Sequence, residues 1–129
     1  HPEIMVCSSF QHPYYPNRLD DVDQSNIVNT PLQAGSDGDD FRRAISSSWL
    51  PALQRHQPDL VLVSAGFDAH QADPLAALNL TEADFTWITQ QLVDVANLYS
   101  QGRMVSTLEG GYDLNALAKS ASAHLQALM

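Results

Sequence analysis

The sequence predicts an α/β fold, because short apolar runs alternate with segments whose apolar residues recur at helical spacing. Three runs are predicted strands: "EIMVCSS" from Glu3 to Ser9, "DLVLVSAG" from Asp59 to Gly66, and "RMVSTLEGG" after Gly102. The middle run is apolar at consecutive positions, which is typical of a strand covered on both faces. Strands separated by helices predict right-handed crossovers, so the three strands should be parallel neighbours or near neighbours in one sheet.

Three helices are predicted between and after these strands. The first begins near Ser36 and reaches Pro51, which we expect to break or kink it. The second begins at Thr81, where Asp84 three residues on resembles a capping box. The third begins near Asp113, a residue type that is favoured at helix N-caps.

The segment from Pro13 to Gly35 is predicted to be an irregular connection, long enough to suggest a functional loop. The whole chain has 129 residues, which is about the size of one domain with one core. Its formal net charge of −9 argues against binding to nucleic acid or to an anionic membrane surface. Cys7 is the only cysteine, which excludes an intrachain disulfide and favours the cytoplasm as the compartment.

A polar loop follows each predicted strand: "SSFQHPYYP", "SAGFDAHQADP" and "LEGGYD". The carboxyl ends of parallel strands meet at one edge of a sheet, where ligands bind in such folds, so we expect these loops to form one site. Ordinary structural roles are the alternative. Asp68 and Asp73 then serve as turn and capping residues, His70 is a solvent-exposed loop residue, and Tyr112 is a core aromatic.

Two of these motifs together resemble a known family. "VSAGFDAHQADPLAALNLT", followed further along the chain by "LEGGYDLNALAKS", is similar to the carboxyl-terminal part of the histone deacetylase superfamily in its bacterial and class II-like branch. "SSFQHPYYP" resembles the loop that precedes these motifs. The resemblance implies part of an arginase/deacetylase-type fold. It also implies zinc-dependent hydrolysis of an acetyl amide, with two aspartates and one histidine holding the metal.

The resemblance assigns roles to residues of this chain one by one. Asp73 matches the second aspartate ligand of zinc, and Tyr112 matches the tyrosine that stabilises the oxyanion of the tetrahedral intermediate. Asp68 matches an aspartate near the site that is not a ligand, so we expect it to organise the loop. His70 and His12 match no catalytic histidine. The resemblance also implies an acyl-lysine channel lined by Tyr15, Leu80, Gly110 and Gly111, and a structural monovalent cation such as K+ at Ser9 and Phe10.

Two motifs of the family are absent from the sequence: the tandem His-His pair and the Asp-x-His-His-Gly segment. We therefore expect residues 1–129 to be the carboxyl-terminal part of a single deacetylase domain, with its amino-terminal part missing. The expected substrate of the complete enzyme is acetyl-lysine, an acetylated polyamine or another small N-acyl amine. This chain alone should neither bind zinc tightly nor hydrolyse amides, and its uncovered apolar surface should lead to homo-oligomers.

Two other interpretations stay open at this point. In the first interpretation, the chain is a non-catalytic α/β interaction domain that retains the deacetylase scaffold. In the second, Asp68, His70 and Asp73 form a metal site of their own within one loop.

Overall fold

The computed structural model describes residues 1–15 and 24–129. In these residues the chain forms four strands and three helices, which alternate after the first two strands. The α/β class predicted from the sequence is confirmed. The elements are β1 Val6–Gln11, β2 Ile27–Leu32, α1 Gly38–His56, β3 Val61–Ala65, α2 Glu82–Tyr99, β4 Met104–Leu108 and α3 Leu114–Leu128.

Both strand pairs of the described residues are parallel. β1 pairs with β2 in one two-stranded sheet, and β3 pairs with β4 in a second one, with Val61 opposite Met104 and Ala65 opposite Leu108. The prediction that the first strand shares a sheet with the other two is therefore wrong, because β1 takes a different partner.

That partner, β2, lies within the segment that was predicted to be irregular. Its sequence "IVNTPL" does not indicate a strand, because Asn29 and Pro31 belong to residue types that are depleted in strand interiors. Residues 16–23 of the same predicted connection lie outside the described residues.

Helix α1 begins at the predicted place but does not end at its proline. The Asp37 carboxylate caps the helix by accepting the N–H groups of Asp39 and Asp40 at 3.0 and 3.1 Å. The helix continues through Pro51 to His56, so the predicted break is wrong. Ala52 and Leu53 are both buried, and their packing offsets the backbone hydrogen bond that a proline removes.

Helices α2 and α3 begin as predicted. The Asp84 carboxylate accepts the backbone N–H of Thr81 at 2.9 Å, which completes the capping box of α2. Asp84 is buried and also forms an ion pair with Arg42 of α1, with 2.8 Å between nitrogen and oxygen. The Asp113 carboxylate accepts the N–H of Ala116 at 2.8 Å and caps α3. Asp84 therefore connects two helices as well as capping one.

The core lies on one side of the β3–β4 sheet. Val61 and Ala65 point towards the helices and are buried, whereas Leu62 and Val105 are exposed on the opposite face. The prediction that this strand is covered on both faces does not hold for the part of the chain that the structure describes. The main core cluster consists of Leu32, Phe41, Ile45, Ala65, Phe67, Leu78, Leu80 and Phe85.

Among the described residues, we find no helix whose length and apolar character would let it span a lipid bilayer.

Candidate active site

The loops after β3 and β4 are joined by backbone hydrogen bonds beyond the ends of the strands. The Glu109 N–H donates to the Ala65 carbonyl at 3.0 Å, and the Phe67 N–H donates to the Gly110 carbonyl at 2.8 Å. The parallel pairing therefore continues into the loops. This continuation brings the loops after β3 and β4 side by side, as the sheet-edge argument predicts for these two strands; the third predicted loop follows β1, which belongs to the other sheet.

The Asp73 carboxylate forms the next link between these loops. It is only 8% exposed, and its Oδ2 accepts the backbone N–H of Tyr112 at 2.9 Å. Its Oδ1 accepts the N–H groups of Leu75 and Ala76 at 2.9 and 3.4 Å. Asp73 thus caps its own loop, as the structural alternative predicts, and the same carboxylate also contacts the backbone of Tyr112.

Tyr112 is not a core aromatic, because it is 56% exposed. Its backbone is fixed by Asp73 while its side chain remains accessible to a second molecule. Gly111, which precedes it, has a φ of 137°. A Cβ at Gly111 would lie 2.9 Å from Leu117 Cδ1 and 3.3 Å from Phe67 Cβ, so a glycine is needed at this close approach.

The half-buried Asp68 carboxyl group lies against the backbone of the two strand-end glycines. A Cβ at Gly110 would be 3.0 Å from its carboxyl carbon, and a Cβ at Gly66 would be 3.2 Å from its Oδ1. Burial raises the pKa of Asp68, and the nearby charges of Asp73 and Glu109 raise it further, while a hydrogen bond from its own backbone lowers it. Asp68 is therefore packed between the same two loops that Asp73 joins.

His70 is buried, at 5% exposure, so the prediction of a solvent-exposed loop residue is wrong. Its Nδ1 accepts the N–H of Ala72 at 3.1 Å, and its ring stacks on Phe85 with a centroid distance of 6.4 Å. Its Nε2 lies 3.6 Å from Glu82 Oε2 of α2. Its sequence neighbours, Ala69 and Gln71, gave no signal that this imidazole is enclosed.

A metal site made of Asp68, His70 and Asp73 alone is not formed. The imidazole of His70 faces Glu82, whereas the carboxylate of Asp73 faces Tyr112. Within residues 1–15 and 24–129, no cluster of three or more histidine, cysteine, aspartate or glutamate side chains is arranged to hold a metal ion. Asp73 fits a zinc site as one carboxylate donor, and the other ligands of such a site must come from outside these residues.

The residues assigned to a channel lie in different environments. Tyr15 is 80% exposed, Gly110 is buried beside Asp68, and Leu80 is only 2% exposed within the core cluster. The Leu80 side chain thus presents almost no surface to a ligand in this arrangement. Ser9 and Phe10 lie in β1, opposite Thr30 and Pro31 of β2.

Sequence analysis missed a buried polar network around His124. Thr89 Oγ1 donates to the Phe85 carbonyl at 2.6 Å, so its lone pair accepts the His124 Nδ1–H at 2.7 Å. The opposite nitrogen, Nε2, then accepts the Ser106 hydroxyl at 2.8 Å. Burial lowers the pKa of His124, which favours this neutral form. The network ties α2, α3 and β4 together, and its members are too far apart in the sequence to be recognised as a motif.

The fold is that of a parallel α/β protein in which Asp73 and Tyr112 lie on neighbouring loops at the carboxyl edge of the β3–β4 strand pair. The family model for the histone deacetylase domain matches residues 1–128. The chain therefore belongs to the histone deacetylase family.

Individual relatives agree with this assignment. An uncharacterized protein of Synechocystis sp. is 40% identical over 131 residues, which cover 99% of this chain and 41% of that protein. Histone deacetylase 10, chloroplastic, from Oryza sativa subsp. japonica is 38% identical over 134 residues, which cover 99% of this chain and 30% of that protein. The chain thus spans less than half the length of these relatives.

A solved structure shows the same relation in three dimensions. The crystal structure of the HDA15 HD domain superposes with a TM-score of 0.89 at 32% sequence identity. The match covers 99% of this chain and 38% of that structure. The arginase/deacetylase-type fold is confirmed, and this chain corresponds to a segment of it.

Proposed function

We propose that this chain forms the carboxyl-terminal part of a zinc-dependent deacetylase domain that hydrolyses acetyl amides. The observation that carries the proposal is the hydrogen bond from the Tyr112 N–H to Asp73 Oδ2, at 2.9 Å. This hydrogen bond joins the loop that carries the Asp73 carboxylate to the backbone of Tyr112, whose side chain is exposed. Family membership supports hydrolysis of an amide as the reaction.

Tyr112 is the proposed catalytic residue. Its hydroxyl would donate a hydrogen bond to the negative charge that develops on the carbonyl oxygen as the amide is attacked. The Gly110–Gly111 turn and the Asp73 carboxylate fix its backbone, so that little reorganisation is needed when the substrate binds. This arrangement suits a donor that has to be in position before the charge appears.

Asp73 is the proposed zinc ligand of this segment. Its Oδ1 accepts two backbone N–H groups and its Oδ2 accepts one, so Oδ2 retains a lone pair that is suitable for a metal. A catalytic zinc usually has three protein ligands, and when bound it polarises a carbonyl and lowers the pKa of its water. The remaining ligands and the proton-transferring histidines would come from the rest of the domain.

The proposed substrates are acetyl-lysine, acetylated polyamines and other small N-acyl amines. Tyr15, Leu80, Gly110 and Gly111 remain the proposed channel residues. Leu80 would line the channel only if its environment in the complete domain differs from the core position described above. Ser9 and Phe10 remain the proposed site for a monovalent cation such as K+. The cytoplasm remains the proposed compartment, on the basis of a single free cysteine.

The decisive experiment replaces Tyr112 in the longer protein that contains this segment. We expect Tyr112→Phe to lower turnover of an acetyl-lysine peptide by about two to three orders of magnitude, with bound zinc retained, because one oxyanion donor is lost. Tyr14→Phe is the matched control, since Tyr14 is also exposed but carries no proposed role. Unchanged turnover in Tyr112→Phe would remove the proposed role of Tyr112, whereas a longer protein without any turnover would favour a non-catalytic interaction domain.

The 129-residue chain alone is expected to be inactive and to bind zinc weakly. It should also self-associate, because Leu60, Leu62, Val105 and Leu108 expose an apolar surface around β3 and β4. Calorimetric zinc titration, an acetyl-lysine assay and analytical ultracentrifugation test these statements. Submicromolar zinc affinity together with turnover that Asp73→Ala abolishes would contradict the first two, and a monomer at all concentrations would contradict the third.

A further inference from the structure

We propose that His70 is a positioning residue, whose imidazole fixes the loop that presents the Asp73 carboxylate to Tyr112. The inference rests on the proposed function in one respect, namely that Asp73 serves as a metal ligand. The contacts that support it are those of the described loop and of the first turn of α2.

His70 lies at the centre of the hydrogen bonds that close this loop. Its backbone N–H donates to the Phe67 carbonyl at 3.2 Å, and its own carbonyl accepts the Asp73 N–H at 2.8 Å. The ring adds a third hydrogen bond within the loop, because Nδ1 accepts the Ala72 N–H at 3.1 Å. Residues on both sides of Asp73 are thus held, since Leu75 donates to the Asp73 side chain.

The contact with Ala72 also determines which nitrogen carries the proton. An N–H donor at Ala72 requires a lone pair on Nδ1, so the hydrogen of the neutral ring is on Nε2. Nε2 is fully buried and has no hydrogen-bond partner among the residues that the structure describes, and Glu82 Oε2 lies 3.6 Å from it. The Nε2–H therefore faces a carboxylate from just beyond hydrogen-bonding distance.

The ring is held in place by α2. Phe85 stacks on it with an interplanar angle of 15°, and Glu82 of the same helix faces its outer nitrogen. A buried N–H without a full hydrogen bond costs free energy that an apolar side chain of similar size would not. The imidazole is retained at this cost because its other nitrogen accepts the Ala72 N–H, which no apolar side chain can do.

Three substitutions of His70 distinguish the contribution of Nδ1 from that of Nε2. Asparagine places an oxygen close to the position of Nδ1 and accepts an N–H two residues on, as in an Asx turn. Glutamine reaches the region of Nε2 but offers no acceptor at the position of Nδ1. Alanine removes both ends. If the Nδ1 contact positions Asp73, asparagine should rescue the loop, whereas glutamine and alanine should not.

Amide hydrogen exchange of the 129-residue chain, read by NMR, tests the positioning role. In His70→Ala we expect the Tyr112 amide, which donates to Asp73, to exchange about tenfold faster, on the scale of one lost hydrogen bond. The Phe67 amide is the internal control, because it joins the same two loops through Gly110 and not through Asp73. His56→Ala, in the last turn of α1, is the control variant and should change neither rate.

Every result with these variants either supports or overturns the positioning role of His70. If His70→Ala does not fold, comparison of His70→Asn with His70→Gln decides, since only the former should protect the Tyr112 amide as the wild type does. Equal acceleration of the Tyr112 and Phe67 amides would show general loosening of the loops and overturn the proposal. An unchanged Tyr112 rate would overturn it as well.

A second measurement distinguishes failure of this inference from failure of the proposed function. In the longer protein, zinc affinity should fall about tenfold or more in His70→Ala and be retained in His70→Asn, as for other residues that orient a ligand. Faster Tyr112 exchange with unchanged zinc affinity would uphold the positioning role and reject Asp73 as a ligand. The reverse pattern would reject the positioning role and leave the metal assignment intact.

Discussion

Gly111→Ala tests the argument that the tyrosine loop requires a glycine. Gly111 has a φ of 137°, a conformation in which a residue with a Cβ costs about 1–3 kcal/mol. The added methyl group would also meet Leu117 Cδ1 at 2.9 Å and Phe67 Cβ at 3.3 Å. Such overpacking typically adds about 1–3 kcal/mol, so we expect a total loss of about 2–6 kcal/mol in the free energy of unfolding.

Gly35→Ala is the matched control for the backbone contribution. Gly35 also has a positive φ, of 88°, but a Cβ there would meet no atom of residues 1–15 and 24–129 within 4 Å. Thermal unfolding followed by circular dichroism measures both variants. At about 4 °C per kcal/mol for a chain of this size, Gly111→Ala should melt about 8–24 °C lower than wild type. In Gly35→Ala the melting temperature should fall only by the amount that the backbone conformation costs.

A double-mutant cycle with Leu117→Ala isolates the steric part. Leu117→Ala removes the nearest atom that the new methyl group meets, so the two substitutions together should cost about 1 kcal/mol less than the sum of the single costs. An additive cycle, or equal losses in Gly111→Ala and Gly35→Ala, would refute the reasoning that close packing at Leu117 and Phe67 fixes the tyrosine loop.

Two further predictions concern the scaffold that supports the site. Asp84→Ala should lower the free energy of unfolding, measured with urea, by about 3–5 kcal/mol, because it leaves Arg42 without its buried partner and removes the cap of α2. Arg43→Ala, at an exposed ion pair, is the control and should cost less than about 1 kcal/mol. Burial lowers the pKa of His124 below its ordinary 6.5, so the unfolded chain binds more protons; stability should therefore be complete above that pH and be lost as pH falls towards the folded-state pKa. His124→Gln should remove this part of the pH dependence, and an unchanged difference between wild type and variant across about pH 5–8 would contradict the assignment.

Prediction from sequence succeeded where the signal is local. The caps at Thr81 and Asp113 and the strands before the two motifs depend on residues within a few positions of each other, and the structure confirms them. It failed where a distant contact decides the outcome. β2 exists because β1 pairs with it despite Pro31, and α1 continues past its proline because of packing downstream.

The candidate site shows the same division. Asp73 and Tyr112 were found through their motifs, and the hydrogen bond between them follows from the parallel pairing of β3 and β4. The burial of His70 was not predicted, because it depends on Glu82 and Phe85 of a helix that begins beyond the loop. When a side chain is buried by a different element, the sequence of its own segment shows no hydrophobic periodicity that would indicate the burial.

The two roles of Asp73 determine which experiment is informative at this site. Its carboxylate accepts N–H groups from Leu75, Ala76 and Tyr112, and these hydrogen bonds alone explain why an acid occupies a buried position after a strand. Asp73→Ala would leave three donors without an acceptor, at about 1–3 kcal/mol for each that stays buried, and would release Tyr112 in addition to removing a metal ligand. Lost activity in that variant therefore fits a structural role as well as a catalytic one. Tyr112→Phe leaves every hydrogen bond to Asp73 in place, because the contact is made by the tyrosine backbone, so a change in turnover there reports on the phenol alone.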